Sequence, residues 1–529
     1  MELSQFSRNL TGALHNLNGQ NAKRMKSKSS KSKSFDQPTI TRRNLLEWAG
    51  LGLTAAAMPT PAFSAFSSPL RSAATKSSAS VMSTLSTYMS EAVNRPLPDE
   101  VVERTKHHIL DTLGAMVSGS KLLPGQRALQ FAQAYGGKEV STVVASNIVC
   151  GPIEAALTNG MLAHADETDD SHSPSQSHPG CAVVPAAFAA GEQFRISGGH
   201  LLRAVALGYD VGTRVTMTLG GQKFEVESHW STHSISPQFG AAAASACAAS
   251  LNAQEMRWML GYTAQQSSGL GSWNRDPDHI QKAFLFGGMN ARSGVTSALI
   301  VKSGWTGVDD IFSGKDSFFQ AYNPNADPSG LIDKLGERYE VTRTNIKKWP
   351  VGSPIQAALD ALEILRKQRP FDASQVQQVK IRLATDEAAI VNNREIPDIC
   401  VQHMLAVALL DKTVTFASAH DKARLKDPAT LRERAKVSLI PDAQLESLMP
   451  LRVAILELLL SDGTQLRQRV DNVRGTPENF MTREEVLAKS RDLITPVLGE
   501  RKCSELVGKV MGLENLRDIR ELRTLLQLT

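Results

Sequence analysis

Residues 159–187 have the sequence NGMLAHADETDDSHSPSQSHPGCAVVPAA, a polar turn between two apolar, alanine-rich segments. The polar side chains gathered in this turn are His164, Glu167, Asp169, Asp170, Ser171, His172 and His178. Pro152, near the start of the first segment, and the apolar run from Cys181 predict a buried helix on each side. Buried polar groups cost free energy unless they are paired. We therefore expect the turn to line a cleft in which these side chains take part in chemistry.

The composition is typical of a soluble globular protein with two domains. The chain has 529 residues, of which 42% are hydrophobic and 21% are charged. The net charge of +5 comes from residues 1–80, which carry eleven Lys or Arg and three Asp or Glu, while the remainder is slightly acidic. No surface for nucleic acid is therefore expected. The five cysteines include no CxxC pair, so the sequence predicts neither a zinc knuckle nor a disulfide framework.

The start of the chain is predicted to be an export leader. Residues 1–40 are polar and basic and should be disordered. Residues 41–65 combine paired arginines, a short apolar region and small residues, and resemble a bacterial twin-arginine signal; residues 66–84 are then a linker. This predicts the twin-arginine export machinery as a partner and a periplasmic location, or a cytoplasmic one if the signal is not used. The alternative is a basic tail before a short helix. No segment is long and apolar enough for a stable membrane span.

The hydrophobic pattern predicts a mainly α fold, with a large all-helical domain and a smaller α+β domain. Residues 85–339 combine apolar residues at the helical period with many small residues, which favours close helix packing. Residues 340–478 also contain segments typical of strands, at 379–383 and in a hairpin over 453–470. Residues 479–529 are predicted to be helical again.

Blocks of residues recur in a fixed order along the chain. They are LDTLG at 110–114, NG at 159–160 with Ala163-His164, DDSH at 169–172 with His178-Pro179 and Pro185-Ala186, and residues 282–307 and 347–360. Together they resemble the MmgE/PrpD family, which contains 2-methylcitrate dehydratase and cis-aconitate decarboxylase. The resemblance covers nearly everything after the leader. It implies a helical domain with an α+β lid, C-terminal helices that return to the helical domain, a homodimer, and chemistry on small di- and tricarboxylates without a cofactor or a metal.

The resemblance implies catalytic roles for four residues, His178, Glu167, Asp170 and Lys282. His178 matches the histidine of the family's His-Pro block, an acid or base beside the substrate, and histidine suits that role near neutral pH. The alternative is a structural histidine that caps the next helix. Lys282 matches a lysine that contacts a substrate carboxylate, and the alternative is a surface lysine.

The acidic part of the turn matches an Asp-Phe-Asp-Asp-Thr sequence of the family, with Glu167 in place of the first aspartate and Thr168 in place of the aromatic residue. The carboxylates are expected to orient histidines or to keep them basic. For Asp169, a solvated acid in a turn is an equally good interpretation.

Substrate contacts are implied for residues from several parts of the chain, namely Ser171, His233, Lys347, Ser353 and His403. His233 matches the family's His-Pro-Thr block and is preferred to His229, although a structural role is equally compatible. Ser353 is expected to cap the next helix, and free N–H groups there, with Lys347 nearby, would bind a carboxylate. His403 falls where the decarboxylase has a tyrosine near its active site.

The sequence therefore predicts a cofactor-independent lyase acting on a small di- or tricarboxylate, with 2-methylcitrate dehydration as the default reaction. Isomerisation, epimerisation or decarboxylation stays open, as does a periplasmic carboxylate-binding protein without turnover. A metal site is a further alternative, because three histidines lie close to several acids within 15 residues. The lack of a helical HxxxH spacing and the resemblance both disfavour it. The prediction requires that the polar turn, Lys282 and Lys347 meet around one anion.

Overall fold

The computed structural model describes residues 70–528, with side chains from Val81 onward. The predicted leader at 1–40 and signal at 41–65 lie outside the described residues, so export and a periplasmic location stay predictions.

The linker predicted at 66–84 differs from the structure, because a helix, α1, covers Leu70–Glu91. Val81, Met82 and Leu85 recur on one face of α1 and are buried in the helical domain. Serine and alanine suggested a linker, but such a segment becomes helical when its apolar face packs against neighbouring helices.

The helical domain begins with α1 and extends to α12. Its helices are α1 (Leu70–Glu91), α2 (Asp99–Gly119), α3 (Leu123–Tyr135), α4 (Pro152–Ala163), α5 (Gly180–Phe194), α6 (Gly198–Leu219), α7 (Gln222–Ser228), α8 (Thr232–Ala248), α9 (Ala253–Gln266), α10 (Ile280–Ala283), α11 (Met289–Lys302) and α12 (Phe318–Tyr322). A π-helical turn, Phe284–Gly288, joins α10 to α11. Two short antiparallel strands, β1 (Ser141–Thr142) and β2 (Val149–Cys150), pair at its edge.

The lid domain packs helices on a four-stranded sheet. Its elements are α13 (Ser353–Gln368), β3 (Val376–Ala384), α14 (Thr385–Val391), α15 (Val401–Asp411), α16 (Phe416–His420), α17 (Pro428–Arg434), β4 (Val437–Asp442), α18 (Ala443–Glu446), β5 (Ala454–Leu460) and β6 (Gln465–Val470). The strand order is β4-β3-β5-β6, with β3 and β4 parallel and the other pairs antiparallel. The predicted hairpin is present as β5 and β6, with Leu459 opposite Gln465. The mainly α fold class is thus confirmed.

The last helices, α19 (Arg483–Leu498), α20 (Glu500–Met511) and α21 (Arg523–Leu526), pack against the helical domain. α19 lies on α2, where Lys489 Nζ is 2.6 Å from Asp111 Oδ1. Both groups are buried, so this ion pair joins the two ends of the folded chain. Within residues 70–528, no helix has both the length and the apolar character that crossing a membrane requires.

Small residues allow the helices beside the polar turn to approach closely. Gly208 of α6 faces Gly240 of α8, and a Cβ on Gly208 would lie 2.8 Å from the carbonyl oxygen of Gly240. Gly160 of α4 faces Gly287, where a Cβ would lie 2.0 Å from the Gly160 carbonyl oxygen. The π-helical turn is therefore held against the end of α4, and this contact brings Phe286 to the polar turn.

Candidate active site

Asp169 holds two histidines of the polar turn. His164 Nδ1 lies 2.9 Å from one carboxylate oxygen of Asp169, and His178 Nδ1 lies 3.1 Å from the other. An ionised carboxylate only accepts hydrogen bonds, so both rings donate from Nδ1. A neutral ring held in this way carries its hydrogen on Nδ1 and leaves Nε2 free to take a proton. Asp169 is completely buried, yet His164, His178 and Lys347 overcome the effect of burial and hold the pKa of its carboxyl well below the usual range.

His178 has the properties of a general base. Burial lowers its pKa to about 4, against the opposing effect of Asp169, so the ring is neutral near pH 7. Its residual exposure of 7% contrasts with 0% for His164. The Nε2 of His164 is buried without a hydrogen-bond partner among the described residues. Of the two rings that Asp169 orients, His178 is therefore the one open to a ligand.

Two lysines from different parts of the chain meet at Glu167. Lys282 Nζ, from α10, contacts one carboxylate oxygen of Glu167. Lys347 Nζ, from the segment that leads into the lid, lies 3.7 Å from the other oxygen and donates to the Glu167 carbonyl oxygen at 2.8 Å. Burial opposes ionisation of Glu167, but Lys282 and Lys347 hold its pKa well below the usual range. The two ammonium groups lie against the carboxylates of Glu167 and Asp169, and each can also attract a carboxylate of an anionic ligand.

An aromatic stack forms one wall of the site. Phe286 lies between His164 and His233, with ring centroids 4.4 Å away on each side and interplanar angles of 17° and 9°. Lys282 Nζ lies 5.1 Å from the centroid of Phe286 and 5.0 Å from that of Trp273. Phe286 belongs to the π-helical turn, a feature that often marks functional sites. The stack fixes the orientation of both histidines and gives Lys282 an electron-rich surface.

Two sets of side chains have the composition of a metal site. His164, Asp169 and His178 form one set, and His164, Glu167 and His279 form the other; in each set the ligand-type atoms lie within 4.8 Å of one another. However, Lys282 and Lys347 already lie against these carboxylates, and a divalent cation would be repelled by both ammonium groups. The charges therefore favour an acid–base site for an anion over a metal centre.

Sequence comparison gives the family of the chain. The MmgE/PrpD N-terminal domain matches residues 83–330, and the MmgE/PrpD C-terminal domain matches residues 349–512. The chain belongs to the MmgE/PrpD family. The prediction made from the sequence blocks is thus confirmed, and Lys347 lies in the segment between the two matched regions.

The similar proteins are named as decarboxylases. A cis-aconitate decarboxylase of Aspergillus terreus is 24% identical over 486 residues, which cover 86% of this chain and 98% of the relative. The cis-aconitate decarboxylase of Homo sapiens is 26% identical over 455 residues, or 82% of this chain and 91% of the relative. A cis-aconitate decarboxylase-like protein of Aspergillus oryzae is 24% identical over 478 residues, or 84% of this chain and 97% of the relative. The likeness therefore extends over both domains of the MmgE/PrpD chain.

Asp170, predicted as a catalytic residue, takes a structural position instead. Its Oδ2 lies 2.8 Å from His108 Nδ1 and accepts from the Tyr209 hydroxyl, and its Oδ1 accepts from the N–H of Gly180 at 2.9 Å. These contacts tie the start of α5 to α2 and α6. Asp169 is then the carboxylate that faces His178. From the sequence, a solvated acid in a turn was an equally good interpretation of this residue.

Replacing Asp170 by asparagine should therefore affect stability first. The amide cannot accept hydrogen bonds from all three donors, and leaving buried donors unsatisfied costs about 1–3 kcal/mol. We expect the free energy of unfolding, measured by urea denaturation, to fall by that amount. A variant with unchanged stability and no turnover would contradict the structural role and support a catalytic role for Asp170.

Ser171 and Ser353 line a cavity of about 170 Å³ beside Lys347, between the polar turn and the lid. Ser171 also forms a backbone bridge with Asn345, in which the two N–H···O distances are 3.0 and 2.8 Å. Ser353 does not cap α13 as predicted, because Gly352 occupies the capping position and gives no side-chain hydrogen bond. Lys347 separates this cavity from the histidines, because its ammonium group points to Glu167.

The two histidines outside the turn that were predicted to contact substrate, His233 and His403, have different surroundings. His233 lies beside His178, with ring centroids 5.4 Å apart, whereas His229 is exposed at the end of α7. His403 is completely buried on α15. Burial lowers its pKa to about 4, and the charges that act on it come from Arg434, Arg424 and Asp421. Among the described residues no hydrogen bond or ion pair connects His403 to the histidine cluster, and its substrate contact stays a prediction.

Several residues of the site were missed from the sequence. Asp169 and His164 lie in the polar turn. There the sequence does not show which side chains point into the site and which have only a structural role. Phe286 precedes Gly287-Gly288. This glycine pair was the sequence feature that could have indicated a close contact of this segment with a neighbouring helix. Trp273 and His279 lie in a polar loop without a pattern; the indole N–H of Trp273 and Nε2 of His279 are buried without partners among the described residues.

Proposed function

We propose that this protein is a lyase that acts on a small tricarboxylate by proton transfer at a carbon next to a carboxylate. The observation that carries the proposal is the convergence of His178, Lys282 and Lys347 at one buried site. A histidine that is neutral near pH 7 lies there beside two cations, and an acid–base group paired with cations is what removal or placement of a proton next to a carboxylate requires. The chemistry needs no group beyond these side chains.

Each side chain has a role in this scheme. His178, oriented by Asp169, exchanges a proton with the reacting carbon through Nε2. Lys282 and Lys347 bind the substrate carboxylates and stabilise the negative charge that develops when electrons move onto one of them. Glu167 holds both ammonium groups in place before substrate binds, so little reorganisation is needed during the reaction.

The same site could serve two lyase reactions. In a dehydration, His178 takes the proton from the carbon next to a carboxylate and passes it to the hydroxyl group on the neighbouring carbon. The carbon–oxygen bond breaks, water leaves, and a carbon–carbon double bond forms. In a decarboxylation, the bond to carbon dioxide breaks, the electron pair stays on the remaining carbon skeleton, and protonated His178 delivers a proton to carbon. The names of the relatives favour decarboxylation of cis-aconitate, whereas the unprotonated state of His178 near pH 7 is the one that proton abstraction requires.

An exchange experiment in heavy water separates these possibilities. The protein is incubated with cis-aconitate, 2-methylcitrate or citrate, and proton NMR and carbon dioxide release are followed. Release of carbon dioxide with deuterium in the product supports the decarboxylase, and loss of water supports the hydro-lyase. Deuterium exchange with formation of an isomer of the substrate, and without loss of water or carbon dioxide, supports an isomerase or epimerase. Binding without exchange or product would contradict the lyase and support a carboxylate-binding protein.

A further inference from the structure

A second buried cluster of charges lies next to the candidate active site, between the lid and the polar turn. It consists of Asp166 in the turn, Asp398 in the lid and His420 at the end of α16. His420 Nε2 lies 2.9 Å from Asp166 Oδ2 and 3.8 Å from Asp398 Oδ2. The exposed fractions of Asp166 and Asp398 are only 3% and 4%. None of these residues belongs to the acid–base site described above.

The contacts of His420 determine its charge. Nδ1 lies 2.8 Å from the carbonyl oxygen of Phe416, which can only accept. Nε2 faces the carboxylate of Asp166, which accepts also from the N–H of Thr168 at 3.1 Å and from the Thr168 hydroxyl. The contact of Nε2 with Asp166 is an ion pair rather than a well-aligned hydrogen bond, and two buried carboxylates this close favour the imidazolium form of the ring. Burial opposes this charge, but Asp166 and Asp398 raise the pKa of His420 to about 9.

The charged and hydrogen-bonding groups around His420 come from three parts of the chain. Asp166 belongs to the polar turn, Asp398 to the short 3-10 turn Pro397–Ile399, and the Phe416 carbonyl to α16 itself. Glu167 acts on the cluster through Asp398, since both Asp166 and Glu167 raise the pKa of Asp398, which burial brings to about 6. Near pH 7 the cluster thus contains one positive and two negative groups.

The turn next to this cluster carries two groups of the acid–base site. Only Glu167 and Thr168 separate Asp166 from Asp169. The carbonyl oxygen of Glu167 accepts from Lys347, and that of Thr168 accepts from Lys489 at 2.9 Å. The turn is thus held from the lid by His420, from the segment before the lid by Lys347, and from α19 by Lys489.

We propose that His420 is a positioning residue, whose imidazolium between Asp166 and Asp398 fixes the turn so that Glu167 keeps its contact with the two lysines and Asp169 keeps its contact with His178. The pair also joins the lid to the helical domain at the site. Its effect on turnover rests on the proposed function, whereas its charge and its effect on ligand binding do not.

The charge of His420 can be measured without turnover. The full-length protein is labelled with [13Cε1]histidine, and the resonance that is missing in His420→Gln is followed as the pH is raised. We expect a midpoint of about 9, and a lower midpoint in Asp398→Asn because one of the two carboxylate charges is lost. A ring that is neutral at pH 7 would overturn the proposal.

Ligand binding provides the positioning readout. Tricarballylate, a tricarboxylate with no hydroxyl group or double bond to react, is titrated by calorimetry between pH 6 and pH 10. We expect the affinity of the wild type for tricarballylate to decrease as the pH rises through about 9. In Asp398→Asn the same decrease should occur at a lower pH. His107→Gln is the matched control, because His107 is also buried and lies 2.9 Å from Glu103 but has a pKa of about 4, which burial lowers. Affinity that follows the same pH profile in the wild type and in Asp398→Asn would overturn the proposal.

Turnover of cis-aconitate then tests the catalytic consequence. We expect His420→Gln to lower kcat by about 10- to 100-fold, because a shift of about 1 Å in a reacting group has an effect of that size. A folded His420→Gln protein with wild-type kcat would overturn the proposal. If the wild type does not turn over any tricarboxylate, the proposed function fails, and the titration and binding experiments still decide the role of His420.

The stability of the fold should follow the same pH range. An unfolded histidine has a pKa of about 6.5, and the value for His420 in the folded chain is raised to about 9. Its stabilising contribution is therefore complete below pH 6.5 and is lost as the pH rises through 9. Thermal unfolding of the wild type and His420→Gln should consequently differ most near pH 6.5, where His420 is charged and Asp398 is still ionised, and converge above pH 9. A constant difference from pH 6.5 to pH 10 would overturn the assignment of charge.

Discussion

Replacing His178 by alanine is expected to lower kcat by about 10²- to 10⁴-fold, the contribution of a positioned general acid or base. The fold should survive, because the ring makes a single hydrogen bond, to Asp169, and lies at the open side of the cluster. The measurement is the rate of product formation or of deuterium exchange with cis-aconitate or 2-methylcitrate, whichever the wild type turns over.

A matched histidine variant makes this test specific. His229→Ala removes an exposed ring from the end of α7 and should retain the wild-type rate. Circular dichroism and thermal unfolding of both variants report whether the fold is intact. A folded His178→Ala protein with the wild-type rate would remove His178 from the mechanism.

Asp169→Asn should have an effect of similar or greater size. An asparagine side chain has one accepting oxygen and one donating amide group, so it cannot accept from His164 Nδ1 and His178 Nδ1 together. One ring must then change its tautomer and lose the unprotonated Nε2. The same substitution in a catalytic triad lowers kcat by about 10⁴-fold because the histidine adopts the wrong tautomer, and we expect a loss of about 10³- to 10⁴-fold here.

The double variant shows whether Asp169 acts through His178. Residues that work as a unit have strongly non-additive effects, so His178→Ala with Asp169→Asn should be little slower than His178→Ala alone. Asp170→Asn is the neighbouring control, since it should lower stability more than turnover. Additive losses in the double variant would mean that Asp169 acts on the substrate or on Lys347 independently of His178.

The family, the fold class and the composition of the site followed from the sequence, because these depend on local patterns and on blocks in a fixed order. The helical period and the alternation in residues 453–470 determine which elements form. The His-Pro block and the two lysines indicated chemistry on carboxylates. Such signals are carried by short stretches of chain and do not require knowledge of packing.

Only the tertiary structure decided which polar side chains work together. Asp169 and Asp170 are adjacent in an irregular turn, where no period predicts direction, and packing of α2, α5 and α6 takes one of them into a structural network. The burial of His403 on α15 was likewise decided by packing, which the sequence alone does not show. The meeting of Lys282, Lys347 and Glu167, and that of His420 with Asp166, joins residues more than one hundred positions apart. Such contacts are determined by how the lid and the helical domain pack, and local sequence carries no record of that geometry.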